Sequence, residues 1–308
     1  MHRNILTVLI CLSLFCSGKA FSNNSPTSNQ KTTLSKKIII AHGVPGDGLN
    51  SRSSFKNALA MKPDFIEADL QLTKDLVLIC LHDPTLEKTT NIEEIFPTRF
   101  KTINVSGKPL KKWFINDFTL AEIKSLKGTQ DVVTLKELLN LAKNRTGLYL
   151  ETKDPFIYHA RKLDIDWELH QFLTTEVFEK PEISKNTTII IESFHETSLK
   201  RLRDLGGERY TLIQLVWFST WHKYMSDEGL KHVASYADGI GPILSMVLPP
   251  SQQVIKDAHA RGLLVHAWKG YEAVPPKGIS HQVYYEFLLY NLGLDGIMSS
   301  TPDQIKRH

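Results

Sequence analysis

The sequence predicts an α/β fold in which parallel strands close into a TIM (β/α)8 barrel. Short apolar runs alternate with helix-period segments along most of the chain, and this alternation is typical of a parallel sheet that helices cover on both faces. Eight or nine such units favour a closed barrel over an open sheet. The chain has 308 residues and is 42% hydrophobic, which is enough for one large core in one domain.

The strand candidates are short apolar segments that lie between helix signals. Nine segments have this character, namely residues 37–42, 65–71, 77–82, 147–151, 188–193, 210–217, 239–243, 263–268 and 296–299. Thr134 and Glu137 form a capping box that predicts the start of a helix. Gly206 and Gly262 are placed to end two later helices. Helices are therefore expected between most of the strands, as a barrel requires.

Two irregularities interrupt this alternation. The second and third strand candidates are joined around Lys74 and Asp75, a link too short for a crossover helix, and the arrangement of that pair is left open. Residues 93–130 show little periodicity apart from a second capping box at Thr119 and Glu122. We interpret this segment as a small insertion after the third strand.

The first 20 residues have the three parts of a secretory signal peptide. Arg3 supplies a positive charge, residues 5–15 form an apolar run, and Gly18 and Ala20 provide small residues before a cleavage site near Ala20. The apolar run is too short to span a membrane comfortably. We therefore expect an exported protein, periplasmic or secreted, without a stable membrane anchor.

Removal of the signal peptide would change the cysteine count. Of the three cysteines, Cys11 and Cys16 leave with the signal and only Cys80 remains, so no intramolecular disulfide is possible. Residues 21–36, which are rich in Ser, Asn, Thr and Lys, are predicted as a disordered leader. The barrel is then assigned to residues 37–308.

Charge and motifs leave several classes of protein without support. The formal net charge is +4, and loss of Arg3 and Lys19 with the signal lowers it to about +2, too little to predict binding to nucleic acid. The chain has no G-x-S-x-G, G-x-x-x-x-G-K or G-x-G-x-x-G motif, which leaves a serine hydrolase, a P-loop enzyme and a Rossmann dehydrogenase unsupported. No pattern in the sequence predicts an oligomeric state.

Three acidic residues are predicted to meet at one end of the barrel. Glu67 and Asp69 lie on the same face of one strand, and Glu151 ends another. The carboxyl ends of barrel strands form the active face. Carboxylates this close raise one another's pKa unless a cation neutralises them, and an all-oxygen set suits Ca²⁺ or Mg²⁺. The alternative is a salt bridge between Glu151 and Lys153 without a metal, and spacing alone favours neither.

His42 and His82 are the candidate acid and base. Both lie at the ends of apolar strands near the acidic residues, and a histidine with an ordinary pKa can be neutral in one step and charged in the next. Taken singly, each of the 12 histidines is more simply a core or surface residue, and only the acidic neighbours favour catalysis. His266 and Trp268 end a later strand, where they either line the pocket mouth or pack between barrel and helix.

Three motifs stand in a fixed order: I-A-H at residues 40–42, E-A-D-L-Q-L-T-K-D at 67–75 and H-D-P-T-L-E-K-T-T-N at 82–91. They resemble the I-A-H-R-G, E-x-D-x-x-x-T-K-D and H-D-x-x-L-x-R-T-T motifs of the glycerophosphodiester phosphodiesterase family, in particular of its exported bacterial branch. Further similar segments are D-F-T-L-A-E-I-K-S-L from Asp117, L-E-T-K from Leu150, E-S-F from Glu192, Y-A-D-G-I-G-P from Tyr236 and D-G-I-M from Asp295. The resemblance covers nearly everything after residue 37.

The resemblance implies a TIM barrel with residues 93–130 as the insertion. The implied roles are a divalent metal site, with Ca²⁺ more expected than Mg²⁺, at Glu67, Asp69 and Glu151, an acid–base pair at His42 and His82, and a phosphate contact at Lys153. The implied reaction is hydrolysis of a small-molecule glycerophosphodiester to glycerol 3-phosphate and an alcohol such as choline or ethanolamine.

The chain departs from the family pattern at three places. Gly43 replaces an arginine, residues 49–53 replace a Pro-Glu-x-Thr segment with Asn50 and Ser51 at its centre, and Ser300 replaces an aspartate. A lost arginine–phosphate contact costs about 1.5–3 kcal/mol, which slows the chemistry without abolishing it. Arg52 is either a substitute phosphate ligand or a solvated residue at a helix start.

Two alternatives to the hydrolysis of glycerophosphodiesters stay open. The lost arginine, glutamate and aspartate motivate a catalytically impaired barrel that binds glycerophosphodiesters or lipid head groups. The aromatic residues Trp217, Phe218 and Trp221 and the loop at residues 243–250 motivate a relative that cleaves intact phospholipids, although such residues more simply pack around a barrel.

Overall fold

The structure is a computed structural model that describes residues 36–268 and 275–305. The predicted signal peptide and the leader up to residue 35 lie outside the described residues. The strands are β1 (Ile38–Ala41), β2 (Phe65–Leu72), β3 (Leu78–Cys80), β4 (Lys101–Val105), β5 (Lys108–Lys112), β6 (Val133–Thr134), β7 (Gly147–Thr152), β8 (Ile189–Ser193), β9 (Thr211–Val216), β10 (Gly239–Pro242), β11 (Leu264–Ala267) and β12 (Gly296–Ser299).

Helices connect most of these strands. They are α1 (Arg52–Ala60), α2 (Ile92–Ile95), α3 (Leu120–Lys124), α4 (Leu135–Ala142), α5 (Pro155–His159), α6 (Ile165–Leu173), α7 (Pro181–Ser184), α8 (Glu196–Gly206), α9 (Trp221–Tyr224), α10 (Asp227–Val233), α11 (Gln253–His259) and α12 (His281–Glu286). Both predicted capping boxes are present, at the starts of α3 and α4. In the part of the chain that the structure describes, no helix has the length and apolar character needed to cross a bilayer.

Eight parallel strands close into the predicted barrel. Around it the order is β1, β2, β7, β8, β9, β10, β11 and β12, and β12 pairs again with β1. The interior is filled by one apolar cluster, made of Ile38, Ile40, Phe65, Tyr149, Ile190, Ile213 and Met298. A larger cluster lies between the barrel and its helices, so the centre of the barrel is a packed core and the carboxyl ends of its strands form an open rim.

The third strand candidate lies outside the barrel. β3 runs antiparallel to β2, with Leu72 opposite Leu78 and Leu70 opposite Cys80. The hydroxyl of Thr73 donates to the Asp75 carboxylate and accepts from the backbone N–H of Val77, which closes the short turn. The link around Lys74 and Asp75 is therefore a hairpin, and this explains why no crossover helix separates the two strands.

The predicted insertion is present as an excursion between β2 and β7. It contains the antiparallel hairpin β4–β5, and β6 brings the chain back by pairing with β3. A separate apolar cluster holds the excursion together, built from Ile79, Leu86, Ile92, Trp113, Ile115, Phe118, Ile123, Leu126 and Val132. The hairpin β2–β3 thus carries His82 and the excursion to the rim.

Candidate active site

Four carboxylates come together because of strand register. Glu67 and Asp69 lie two residues apart on β2, so they share a face. Asp69 is directly opposite Glu151 on β7, and Glu151 is directly opposite Glu192 on β8. The row Asp69–Glu151–Glu192 therefore crosses three neighbouring strands at one level, close to their carboxyl ends, and Glu67 lies one level below it.

The three predicted metal ligands meet as expected. Glu67, Asp69 and Glu151 each offer an oxygen, and the three oxygens lie within 4.8 Å of one another. All three residues are buried. An all-oxygen set of this size fits a hard cation such as Ca²⁺ or Mg²⁺ better than Zn²⁺, which prefers nitrogen and sulfur.

Lys153 lies between two of these carboxylates. Its Nζ is 3.4 Å from Asp69 Oδ1 and 3.3 Å from Glu151 Oε1. Burial opposes the charge on Lys153, but the negative charges of Glu151 and Asp69 outweigh burial and raise its pKa. The salt bridge considered from the sequence is therefore present, although one ammonium cannot balance four carboxylates.

The pKa shifts of the acids show that negative charge in the cluster is not balanced by positive charge. Burial raises the pKa of Glu67 well above its usual value, and the charges of Asp69, Glu192 and Glu151 raise it further. Burial and Asp69 do the same to Glu151. The pKa of Asp69 is lowered, because Lys153 and other partners overcome its burial. A cluster that favours protonation to this extent is suited to a bound cation.

The two histidines face this cluster across one cavity. His42 follows β1, and its Nε2 is 4.0 Å from Glu67 Oε2. His82 follows β3, and its Nδ1 is 2.7 Å from Asp83 Oδ1. Both histidines line a cavity of about 140 Å³ together with Glu67 and Asp69. The sequence-predicted acid and base therefore share one cavity with two of the three predicted metal-site residues.

The loop after β1 supplies a further site residue, Asn50, at a position where the chain departs from the family pattern. The Asn50 amide nitrogen donates to Asp69 Oδ2 at 2.7 Å, and its amide oxygen accepts from the Asp69 backbone N–H at 3.1 Å. Asn50 is buried and has a φ of 59°, a left-handed conformation that asparagine tolerates better than most residues. Gly43, in the same loop, also has positive φ and lines the cavity.

Glu192 is the other residue that sequence reasoning missed. It is 2% exposed, and its Oε2 is enclosed without a hydrogen-bond partner. Burial raises its pKa well above the usual value, followed by the charges of Glu151 and Asp69. The signal was visible, because Glu192 ends an apolar strand candidate in the way that Glu151 does.

Trp268 and Arg52 occupy different surroundings. Trp268 packs against the apolar cluster inside the barrel, and its ring stacks on Trp217 with 5.2 Å between centroids. It therefore lies at the rim. Arg52 is the first residue of α1, and its guanidinium donates hydrogen bonds to the carboxylates of Asp131 and Glu137. Its positive charge is therefore paired with these two acids.

A closed parallel barrel with acids and histidines at its carboxyl rim is the arrangement of a TIM-barrel enzyme, whose active site lies at that end of the strands. The sequence model of the glycerophosphoryl diester phosphodiesterase family matches residues 42–304, and the chain belongs to this family of phosphoric diester hydrolases.

Similar proteins support the assignment over the whole chain. A glycerophosphodiester phosphodiesterase of Bacillus subtilis is 28% identical over 98% of this chain and 97% of its own length. One of Haemophilus influenzae is 25% identical, with 96% of each covered.

Solved structures show the same fold. A glycerophosphodiester phosphodiesterase of Agrobacterium tumefaciens has a TM-score of 0.56 at 20% identity, with 87% of this chain and 98% of that chain covered. An Oleispira antarctica phosphodiesterase, solved in complex with the product sn-glycerol-3-phosphate, has a TM-score of 0.59 at 21% identity, with 87% and 94% covered.

Proposed function

We propose that the protein hydrolyses glycerophosphodiesters to glycerol 3-phosphate and an alcohol in a reaction that depends on a divalent metal. The observation that carries the proposal is the meeting of Glu67, Asp69 and Glu151 within 4.8 Å. Two of these acids, Glu67 and Asp69, line the same cavity as both histidines. The whole-length relatives named glycerophosphodiester phosphodiesterase support the substrate class.

Glu67, Asp69 and Glu151 would hold the metal, and Ca²⁺ suits them better than Mg²⁺. Calcium accepts irregular sets of six to eight oxygens, whereas magnesium demands near-ideal octahedral geometry. When bound, the cation would supply charge stabilisation to the phosphoryl oxygens. Lys153 would add a second positive charge beside the phosphate, since its ammonium already lies between Asp69 and Glu151.

His42 and His82 would transfer the protons. One imidazole takes a proton from the attacking hydroxyl, which belongs to water or to the glycerol, and the other gives a proton to the leaving alcohol. If the glycerol hydroxyl attacks, the first product is a cyclic phosphodiester, and a water molecule must then open it to give glycerol 3-phosphate. Asp83 at Nδ1 of His82 fixes the orientation of that ring, so that Nε2 is the atom left for proton transfer. Each transfer contributes about 10²–10⁴-fold to the rate.

Trp268 would bind the organic part of the substrate. Its indole lies at the rim against the apolar interior of the barrel, where an aromatic face can cover glycerol carbons or an alcohol. Arg52 would have to leave Asp131 and Glu137 to reach a phosphate, and a surface ion pair of this kind costs little to break.

A coupled assay for glycerol 3-phosphate tests the proposal. Glycerophosphocholine is supplied with Ca²⁺, with Mg²⁺ or with EDTA, and product is expected with either metal, faster with Ca²⁺, and not with EDTA. Equal rates in EDTA would contradict metal dependence. Tight binding of glycerophosphocholine in a calorimeter without turnover under any metal would instead support the impaired barrel.

A phospholipid-cleaving activity is the second candidate. Trp217, Phe218 and Trp221 are 45%, 57% and 38% exposed, and exposed aromatic rings favour the membrane interface. Release of product from phosphatidylcholine vesicles, measured beside glycerophosphocholine, separates the two substrates. A preference for vesicles would favour this second function.

Export is proposed from the sequence of residues 1–20. Fractionation of cells that produce the full chain is expected to place the mature protein outside the cytoplasm, with a new N-terminus near Phe21. An intact N-terminus in the cytoplasmic fraction would contradict export.

A further inference from the structure

One buried carboxylate is used by none of the steps above. Glu192 lies on β8 and is 2% exposed, and its Oε2 is enclosed without a hydrogen-bond partner. A buried carboxylate oxygen without a donor costs several kcal/mol. A positively charged group or a hydrogen-bond donor at Oε2 would offset this cost, and the described residues place none there.

The position of Glu192 points to that partner. It stands opposite Glu151 across the β7–β8 pair, just as Glu151 stands opposite Asp69 across β2–β7. The next residue in that row is Ile213 on β9, which belongs to the apolar interior. Glu192 is therefore the last acid in the row, and its negative charge acts on Glu67.

The nearby positive charge is already shared. Burial and the neighbouring acids raise the pKa of Glu192 despite the opposing charge of Lys153, whose ammonium lies between Asp69 and Glu151 at 3.4 and 3.3 Å. Four buried acids and one lysine leave an excess of negative charge, even if a divalent cation binds three of the acids.

We propose that Glu192, which stands beside the three acids whose oxygens meet within 4.8 Å, is a fourth carboxylate of the metal centre that Ca²⁺ recruits more readily than Mg²⁺ does. The inference rests on the proposed metal site at Glu67, Asp69 and Glu151. Additional carboxylate charge strengthens calcium sites, and Ca²⁺ accommodates more oxygen ligands than Mg²⁺ does. Glu192 lies on β8, whereas the other three acids lie on β2 and β7. A substitution of Glu192 therefore leaves the strands that carry the other three unchanged.

Metal binding by calorimetry tests the proposal without reference to turnover. In Glu192→Gln the side chain keeps its size and loses its charge, and the affinity for Ca²⁺ is expected to fall about 10- to 100-fold, with a smaller loss for Mg²⁺. Glu196→Gln is the matched control. It lies four residues away and its carboxylate pairs with Lys200, Lys223 and His232 at the surface, so its Ca²⁺ affinity should equal that of the wild type.

Thermal unfolding supplies a second readout. Without metal, Glu192→Gln is expected to raise the Tm, because it removes one of four crowded like charges. With saturating Ca²⁺, the gain in Tm should be smaller than in the wild type, because the variant binds the ion less tightly. If Glu192→Gln does not fold, Glu192→Asp keeps the charge, shortens the side chain and should lose part of the Ca²⁺ affinity.

The outcomes separate the inference from the proposed function. Unchanged Ca²⁺ affinity in Glu192→Gln, beside a wild type that binds Ca²⁺, would overturn the role of Glu192 alone. Equal losses for Ca²⁺ and Mg²⁺ would overturn its effect on selectivity. A wild type that binds neither cation would overturn the metal site itself.

Discussion

The two sides of the barrel rim differ in chemistry. The side formed by β1, β2, β7 and β8 carries His42 and four buried acids, whereas the side formed by β9, β10 and β11 continues directly into Trp217, Ile243 and Trp268. On the first side, buried like charges are crowded together at the proposed cation site. On the second side, aromatic rings stack and are partly exposed. We infer that the acidic side performs the reaction and the aromatic side binds the organic part of the substrate.

The largest expected effect lies on the acidic side. His42→Ala should lower kcat by about 10²–10⁴-fold, because one proton transfer is lost, while the affinity for metal stays near that of the wild type. Steady-state kinetics and calorimetry on one preparation measure both. His222→Ala, at an exposed position on α9, is the matched control and should leave kcat unchanged. A kcat unaffected by His42→Ala would assign the chemistry to other residues.

A hydrogen bond through the barrel interior connects the two sides. Tyr149 on β7 and His266 on β11 lie 3.0 Å apart between Oη and Nδ1. Burial lowers the pKa of His266 from 6.5 to about 4, so the folded protein keeps this ring neutral where an unfolded chain would protonate it. The free energy of unfolding should therefore fall as pH drops from 6.5 towards 4, by about 3 kcal/mol from this group.

The variant His266→Gln should remove that part of the acid sensitivity. Urea unfolding at pH 7 and at pH 4 measures it in both proteins, and the difference between the two pH values should be smaller in the variant. The same pH difference in both proteins would show that other groups cause the acid sensitivity.

A smaller effect is expected from the loop that supports Asp69. In Asn50→Gly the new glycine tolerates the left-handed φ of 59°, but both side-chain hydrogen bonds to Asp69 are lost. Bonds to a charged group contribute about 1.5–3 kcal/mol, so the affinity for metal should fall by roughly 10- to 150-fold. Calorimetry with Ca²⁺ measures this, and Gly48→Ala in the same loop tests whether loop strain alone has the effect.

The smallest effect is expected on the aromatic side. Trp217→Ala removes a half-exposed ring that stacks on Trp268, and such aromatic pairs contribute about 0.5–1.5 kcal/mol. KM for glycerophosphocholine should rise a few-fold while kcat stays near the wild-type value. A large fall in kcat with unchanged KM would contradict the division between the two sides.

The acids of the acidic side could be predicted from the sequence, whereas the residues and the strand pairing around them largely could not. Glu67, Asp69 and Glu151 were predictable because strand periodicity fixes their faces and barrel strands share one active end. The antiparallel direction of β3 was not predictable, since a link of five residues excludes a crossover helix but does not by itself fix the direction in which the two strands pair. Asn50 was missed because its bonds to Asp69 span 19 residues and depend on a left-handed loop. Glu192 could have been found from its place near the end of an apolar strand candidate, but its alignment with Glu151 and Asp69 depends on a strand register that only the fold shows.

The central claim is that Glu67, Asp69 and Glu151 bind one divalent cation beside two imidazoles. Metal content per chain, measured on protein equilibrated with Ca²⁺ and then freed of excess ion, tests it directly in the wild type and in Glu67→Gln. We predict one bound ion in the wild type and a markedly reduced content in the variant. The same content in both proteins, or none in the wild type, would contradict the claim.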